Sequence, residues 1–311
     1  MRFSSSMDIL KRLCHDRVAA AALVIVLLYM FVAIGCEAYS CYCSANNETP
    51  FYELADMNKS YNAPSSEHLL GTDFMGRDVF YRALAGTATA VKVGTIASVI
   101  SALIGVSLGV MAGYFGGRTD NFVVWIYSTF ASMPTLLFIL AFALLASRGF
   151  LYPPLAKTIM EFGRKTGTDP GMIAVYTGIG FTGWVALCRV VRAEAMRLRE
   201  ASYVQAARTA GFNSFHIIVR HVIPNLFHLV IIYFTMRFAY AIMTEVIVSY
   251  LGFGVQSAPS WGVMIANGQQ RLWRGVWWEV AGATGFMFFL VLTLNLLGDA
   301  LRDVLDPKLK N

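Results

Sequence analysis

Five histidines, five cysteines and two charges set inside apolar sequence are the residues of this chain best suited to catalysis or ligation. His15, His68, His216, His221 and His228 show no His-x-x-x-His or zincin spacing. His216 and His221, five apart, are expected on different sides of a short helix. Cys36, Cys41 and Cys43 cluster without a histidine partner or a second pair, while Cys14 and Cys188 stand alone. These read as loop or packing cysteines, with a disulfide within the cluster if that side is oxidising. No catalytic constellation and no metal site is expected. There is no Gly-x-x-x-x-Gly-Lys-Ser/Thr phosphate loop, so the chain is expected to bind no nucleotide or other cofactor itself. Arg237 and Glu245 interrupt an apolar run, and an intramembrane charge is a functional candidate by default. Eight residues of helix separate them by ~12 Å, too far for a direct ion pair.

A second kind of chemistry, docking, is written between Arg189 and Asn225. Ser202-Tyr203-Val204-Gln205 fits a capping box, in which the Ser202 hydroxyl accepts from the Gln205 amide and the Gln205 side chain reaches back. Gly211 fits the left-handed position that ends a helix. The helix between them, Tyr203–Ala210, is left nearly bare by Ala206, Ala207 and Ala210, so another protein can approach its backbone closely. A second helix near Ser214–Val222 is expected to end around Pro224. The alternative is a turn lying on the membrane surface, but the first helix lacks the large apolar face that adsorption requires.

The elements that must carry these residues are membrane spans. Of 311 residues, 57% are hydrophobic and 14% charged, and mean hydropathy is +0.56; average soluble domains are nearer ~25% charged. The net charge of +6 is spread over short loops, which argues for positive-inside topology and against nucleic acid. Six spans are predicted: Val18–Gly35, Val93–Phe115, Asn121–Ala146, Gly171–Cys188, Leu226–Leu251 and Val280–Gly298. The first run is longer than a signal h-region, although Ala33-Ile34-Gly35-Cys36 resembles a lipoprotein cleavage site; an uncleaved helix is favoured. With the N-terminus inside, inner segments hold 14 basic residues and the longer outer segments 10. Both termini are therefore expected in the cytoplasm. The organisation expected is an inner segment 1–17, a first span 18–36 and an outer segment 37–92. A core 93–302 follows, with five spans and an inner loop 190–225, then an inner tail 303–311. Trp273, Trp277 and Trp278 precede the last span, where indoles anchor at the headgroups.

Gln205-Ala206-Ala207-Arg208-Thr209-Ala210-Gly211 and Arg220-His221-Val222-Ile223-Pro224-Asn225 resemble the coupling loop of ABC importer permeases, with Gln205 in place of an acidic residue. His68-Leu69-Leu70-Gly71-Thr72-Asp73, Gly76-Arg77-Asp78 and Ala112-Gly113-Tyr114-Phe115-Gly116-Gly117 narrow the resemblance to the C-type subunit of dipeptide and oligopeptide permeases. So do Ser249-Tyr250-Leu251-Gly252-Phe253-Gly254-Val255-Gln256, Trp261-Gly262, Asn295-Leu296-Leu297-Gly298-Asp299 and Leu305-Asp306-Pro307-Lys308. The resemblance runs from about His68 to Lys310; the Cys-rich outer segment, the stretch Phe150–Pro170 and Arg237 depart from it.

The resemblance implies an all-α integral membrane protein with the type I ABC importer permease fold, six spans and a cytoplasmic coupling helix, in a bacterial inner membrane. It implies a homologous permease subunit sharing one pore, two cytoplasmic ATPase subunits and an extracytoplasmic peptide-binding protein as partners, with lipid around the spans. The ATPase-coupling residues it implies are Glu200, Ser202, Tyr203, Gln205, Ala206, Ala207, Arg208, Ala210, Gly211 and Pro224. Dipeptides, oligopeptides, cell-wall peptides and nickel chelates are all cargoes of such permeases. The rival classes are an ion-coupled secondary transporter, which places ionisable residues at the midplane, and a membrane-embedded enzyme.

Overall fold

A computed structural model of the chain describes residues 13, 15–147, 157, 161, 170–254 and 258–305. Arg2, Lys11, Arg12 and Cys14, most of the stretch Phe150–Pro170, Val255-Gln256 and the closing Asp306-Pro307-Lys308 lie outside the described residues. The architecture is helical, with no strand among the described residues and one isolated bridge between Thr72 and Asp78. That follows from the sequence, because long apolar segments in lipid must satisfy their backbone groups internally. Among the described residues, five helices are long and apolar enough to cross a membrane, or six when a sharply bent pair is counted as one broken span.

Helix α1 (Arg17–Ala45) starts where the Asp16 carboxylate accepts from the Val18 amide at 2.9 Å. It continues past Gly35, so Cys36, Cys41 and Cys43 sit on a helix rather than in a loop. Cys43 is buried and Cys41 exposed, helical spacing turns them to different faces, and all three thiols are free. Helix α2 (Val79–Phe115) begins at Val79 rather than Val93 because Asp78 caps it, accepting from the amides of Phe80 and Tyr81. Its 37 residues span ~55 Å by rise, longer than a ~30 Å hydrocarbon core. Its outer turns therefore belong to the segment 37–92 expected to be loop.

The predicted third span is broken. Helices α3 (Gly117–Ser132) and α4 (Thr135–Ser147) meet at an 87° bend, with Met133 extended before Pro134. Proline disfavours helical geometry in the residue before it, which accounts for the break. Helices α5 (Pro170–Thr182) and α6 (Trp184–Arg199) follow one another through Gly183, carrying the fourth span well past Cys188 into the expected inner loop. Then come α7 (Ser202–Thr209), α8 (Ser214–Ile217), a π turn Ile218–Val222 and α9 (Ile223–Tyr250). The expected stop at Pro224 does not occur, since Ser214–Tyr250 is continuously helical. The π turn hydrogen-bonds one residue further along, Ile223 to Ile218, and accommodates the ring and missing amide of Pro224. The Asn225 side chain donates to the His221 carbonyl at 2.6 Å. Helices α10 (Trp261–Gln269) and α11 (Trp278–Leu305) complete the order.

Helix α2 is the centre of the packing, and its closest neighbour is α6. Gly105, Gly109 and Gly113, four apart, share one face of α2. A Cβ at Gly113 would stand 2.4 Å from the Arg192 carbonyl oxygen, and one at Gly109 2.8 Å from that of Cys188. Small residues at this spacing let two membrane helices approach at backbone distance.

At the N-terminal end of α2, the sequence motif His68–Asp78 folds into a polar cap. Asp73, 1% exposed, accepts from Arg82 at 2.7 Å and from Arg77 at 2.8 Å, and Arg77 also reaches Glu53 at 2.7 Å. Gly76, at φ +75°, leaves no room for a side chain, because a Cβ would lie 1.8 Å from the Asp56 carbonyl oxygen. Trp278 is buried and donates to the Thr72 carbonyl at 2.9 Å, so it clamps this cap instead of anchoring at headgroups. Trp273 and Trp277 are exposed, as anchoring requires.

The glycine seam yields a test. Gly113→Ala should destabilise the protein by about 1–3 kcal/mol, as overpacking does, because its Cβ meets backbone that cannot rotate away. Gly35→Ala, where nothing lies within 4 Å, should leave stability unchanged or slightly higher. Thermal unfolding of the detergent-solubilised variants compares them; equal melting temperatures would remove the seam from the account of the fold.

Candidate functional site

Helix α7 packs against the C-terminal ends of α2 and α6 and against the π turn. Its first residue is Ser202, and its N-cap is Ala201 at φ −67°, ψ 140°, with no side-chain cap. The expected capping box is therefore not formed: Ser202 sits one position too far into the helix. Gln205 instead donates to the Arg199 carbonyl at 3.0 Å, satisfying an orphan group at the end of α6, and comes within 3.4 Å of Glu200. Glu200 is held by Arg199 at 2.9 Å. Gly211 has φ +83°, with Phe212 bonding back to Ala207 and Gly211 to Arg208. This is the two-bond Schellman ending, and the left-handed geometry is the one its position predicted.

The three alanines do not share one surface. Ala207 is 8% exposed and packs with Val204, Ile217, Val222, Leu226 and Val191 against the chain's own core. Ala206 and Ala210 face outward. The reason is spacing: Val204 and Ala207 are three apart and form the inward stripe, leaving Ala206 and Ala210, four apart, on the other side. Full burial of Val204 contributes roughly 2 kcal/mol to holding α7 in place. Arg208 lies over the Tyr114 ring at 5.6 Å. Pro224 is half-buried beneath the segment, acting through the π turn rather than at the surface.

Around the outward face lies an aromatic patch that the sequence reading left out. Tyr203, Phe212, Phe215 and Val219 are exposed, Phe215 by 73%. Phe212 stacks on His216 at 5.0 Å, and His216 and His221 are 6.4 Å apart edge to face. The two histidines thus come together, against expectation, because a π turn brings residues five apart onto one side. Partial burial raises the Tyr203 phenol above the usual tyrosine range. The signal in the sequence was Phe215 and Val219, four apart outside any span. The Arg192–Asp120 pair, with Nη2 2.7 Å from Oδ2, joins α6 to α3 at this same end.

The two charges on α9, Glu245 buried and Arg237 half-buried, have separate surroundings. Glu245 is 1% exposed and accepts from Ser249 at 2.7 Å and Ser260 at 2.8 Å, tying α9 to the start of α10. Arg237 donates to the Ile179 carbonyl at 2.5 Å and lies over the Tyr240 ring at 4.9 Å. No ion pair joins them among the described residues. None of the described His, Cys, Asp and Glu side chains gather in threes in a way that could hold a metal.

Residues 105–311 match the family model for the binding-protein-dependent transport system inner membrane component. The chain is 32% identical to a dipeptide transport system permease protein of Bacillus subtilis, over 99% of this chain and 87% of that one. It is 30% identical to an oligopeptide transport system permease protein of the same organism, over 97% and 90%. It is also 32% identical to a glutathione transport system permease protein of Pectobacterium atrosepticum, again over 97% and 90%. With this coverage, the chain belongs to the family of inner-membrane components of binding-protein-dependent transport systems.

Proposed function

We propose that this chain is the pore-forming permease subunit of an ATP-driven peptide importer. It works beside a homologous permease subunit, with two separate ATPase subunits on the cytoplasmic side and an extracytoplasmic binding protein delivering peptide. The observation that carries the reading is α7: a two-turn helix anchored by Val204 and Ala207, with Ala206 and Ala210 outward and an apolar aromatic patch beside them. An exposed apolar patch of this kind marks a protein contact. The peptide cargo is carried over from the relatives named for dipeptide and oligopeptide transport.

The geometry supplies a mechanism. A displacement of α7 by the ATPase passes to α6 through Gln205 and Glu200, and to α9 through the continuous helix from Ser214. Both helices border the interior, so ATP binding biases the pore between inward-open and outward-open states through differential contacts. The orientation proposed places both termini in the cytoplasm. The packing of Leu13, Ala19 and Ala22 against Leu297 brings the start of α1 and the end of α11 to one end of the molecule, and the denser basic residues of the inner segments favour that end as the cytoplasmic one.

Reporter domains fused after Asn46 should score outside, and those after Asn213 and Asn311 inside. An outside result at Asn213 would invert the topology and place α7 beyond reach of ATP.

Ala206→Arg should abolish docking while leaving the fold intact, since its side chain points outward. Co-purification of the ATPase is expected to fall about tenfold or more, a change of ~1.4 kcal/mol or greater, and import should fall with it while the sister permease is retained. Ala207→Arg should instead unfold the segment, because a charge would enter the core. Wild-type ATPase recovery and import by Ala206→Arg would dismiss α7 as the coupling element.

A further inference from the structure

We infer that the cavity beside Arg237 is a carboxylate site that holds the C-terminus of the peptide as it passes through this subunit. The inference rests on the reading of the chain as a peptide importer and names the subsite within it. The cavity, of about 290 Å³, lies between α2, α6 and α9 and is lined by Arg237, Ser98, Ser101, Gly183, Tyr233 and Tyr240, with apolar side chains around them. Arg237 enters it from the middle of α9.

Three features mark this as a built site. The Arg237 guanidinium uses one nitrogen on the Ile179 carbonyl and one face on Tyr240, while its buried Nε has no partner. Ser98 is 1% exposed and its hydroxyl is also unpartnered, in the wall of the same cavity. Gly183 makes the space, since a Cβ there would lie 2.0 Å from the guanidinium carbon. An arginine with no acidic partner among the described residues, half-buried at mid-helix, is costly unless an anion joins it. The planar guanidinium fork matches a carboxylate, and the Ser98 hydroxyl can donate to the same group.

Size selects the part of the cargo. Ligand cavities run from ~300 Å³ upward, so this one suits the terminal residue or two of a peptide and not an entire oligopeptide. A free C-terminus is also the anionic group that every unmodified peptide carries whatever its sequence. A site for it grips the cargo without reading side chains.

The test uses the assembled transporter, permease pair with ATPases, without the binding protein. Affinities for trialanine and its C-terminal amide are measured by saturation-transfer NMR. Wild type should prefer the acid about tenfold or more. Arg237→Gln, which keeps a donor for Ile179 and loses the charge, should bring the ratio close to one, and Arg237→Lys should restore part of it. Ser98→Ala, which leaves the helix contacts in place, should lower the ratio about threefold and serves if Arg237→Gln does not assemble. Equal affinities in wild type, undetectable binding of the acid, or a ratio unaltered by Arg237→Gln or by Ser98→Ala would each overturn the site. A parallel import assay with the binding protein separates the two readings. Import without acid preference rejects the site and keeps the importer. Acid preference without import of any peptide keeps a carboxylate site and rejects the peptide cargo, and with it the inference as stated.

Discussion

Three glycines four residues apart on α2 allow the backbone of α6 to lie where side chains would otherwise stand, and most of the remaining structure is placed by that contact. In lipid there is little hydrophobic gain from bringing helices together, so close van der Waals packing must supply the association. The seam fixes α6 along α2, and α6 in turn fixes both borders of the interior that matter here. Its N-terminal end carries Gly183 and the cavity wall, and its C-terminal end carries Arg199 and Glu200, on which Gln205 of α7 rests. Helix α7 and the Arg237 cavity thus sit at opposite ends of one helix held by one contact. A movement imposed at α7 has a rigid element along which to travel.

The molecule also divides its polar groups by location. At the N-terminal end of α2, Asp73, Arg77, Arg82 and Glu53 neutralise one another in a compact cap that joins the first connection to the last span through Trp278. At the end that carries α7, Arg192 pairs with Asp120 and Arg199 with Glu200. Between these two layers, Glu245 is satisfied by two serines, whereas Arg237 keeps an unpartnered Nε. That asymmetry, and not the presence of charge in a span, separates Arg237 from Glu245.

Helix existence was legible wherever apolar runs were long, because burial in lipid and helix formation are the same requirement there. Helix ends were less legible. Asp78 extends α2 outward by a cap, and the polar sequence before Val93 hid it, since its alanines and threonines pack against neighbours and not against lipid. Pro134 and Pro224 carry the same residue type with opposite outcomes: the first breaks a span at 87°, the second is absorbed by a π turn. Tertiary packing of Val222 and Leu226 decides the second case, and no local rule contains it. At the site, Gly211 was readable because a left-handed residue after a helix has one good solution. The division between Ala206 and Ala207 was not readable, because which side of a short helix faces the core depends on what stands above it.

The π turn at Ile218–Val222 has a consequence for everything downstream of it. One extra residue in a helical turn rotates the following helix by about 100° relative to an unbroken one. Arg237, Tyr240 and Glu245 owe the directions in which they point to this turn, which lies outside the interior they occupy. The turn acts as a phase setting for α9: gain or loss of a single residue there would re-aim the interior wall as a block without changing any residue in it. Diversification of the interior lining along α9 therefore has a route through the end that carries α7, where a length change of one residue does what many substitutions along α9 would otherwise have to do.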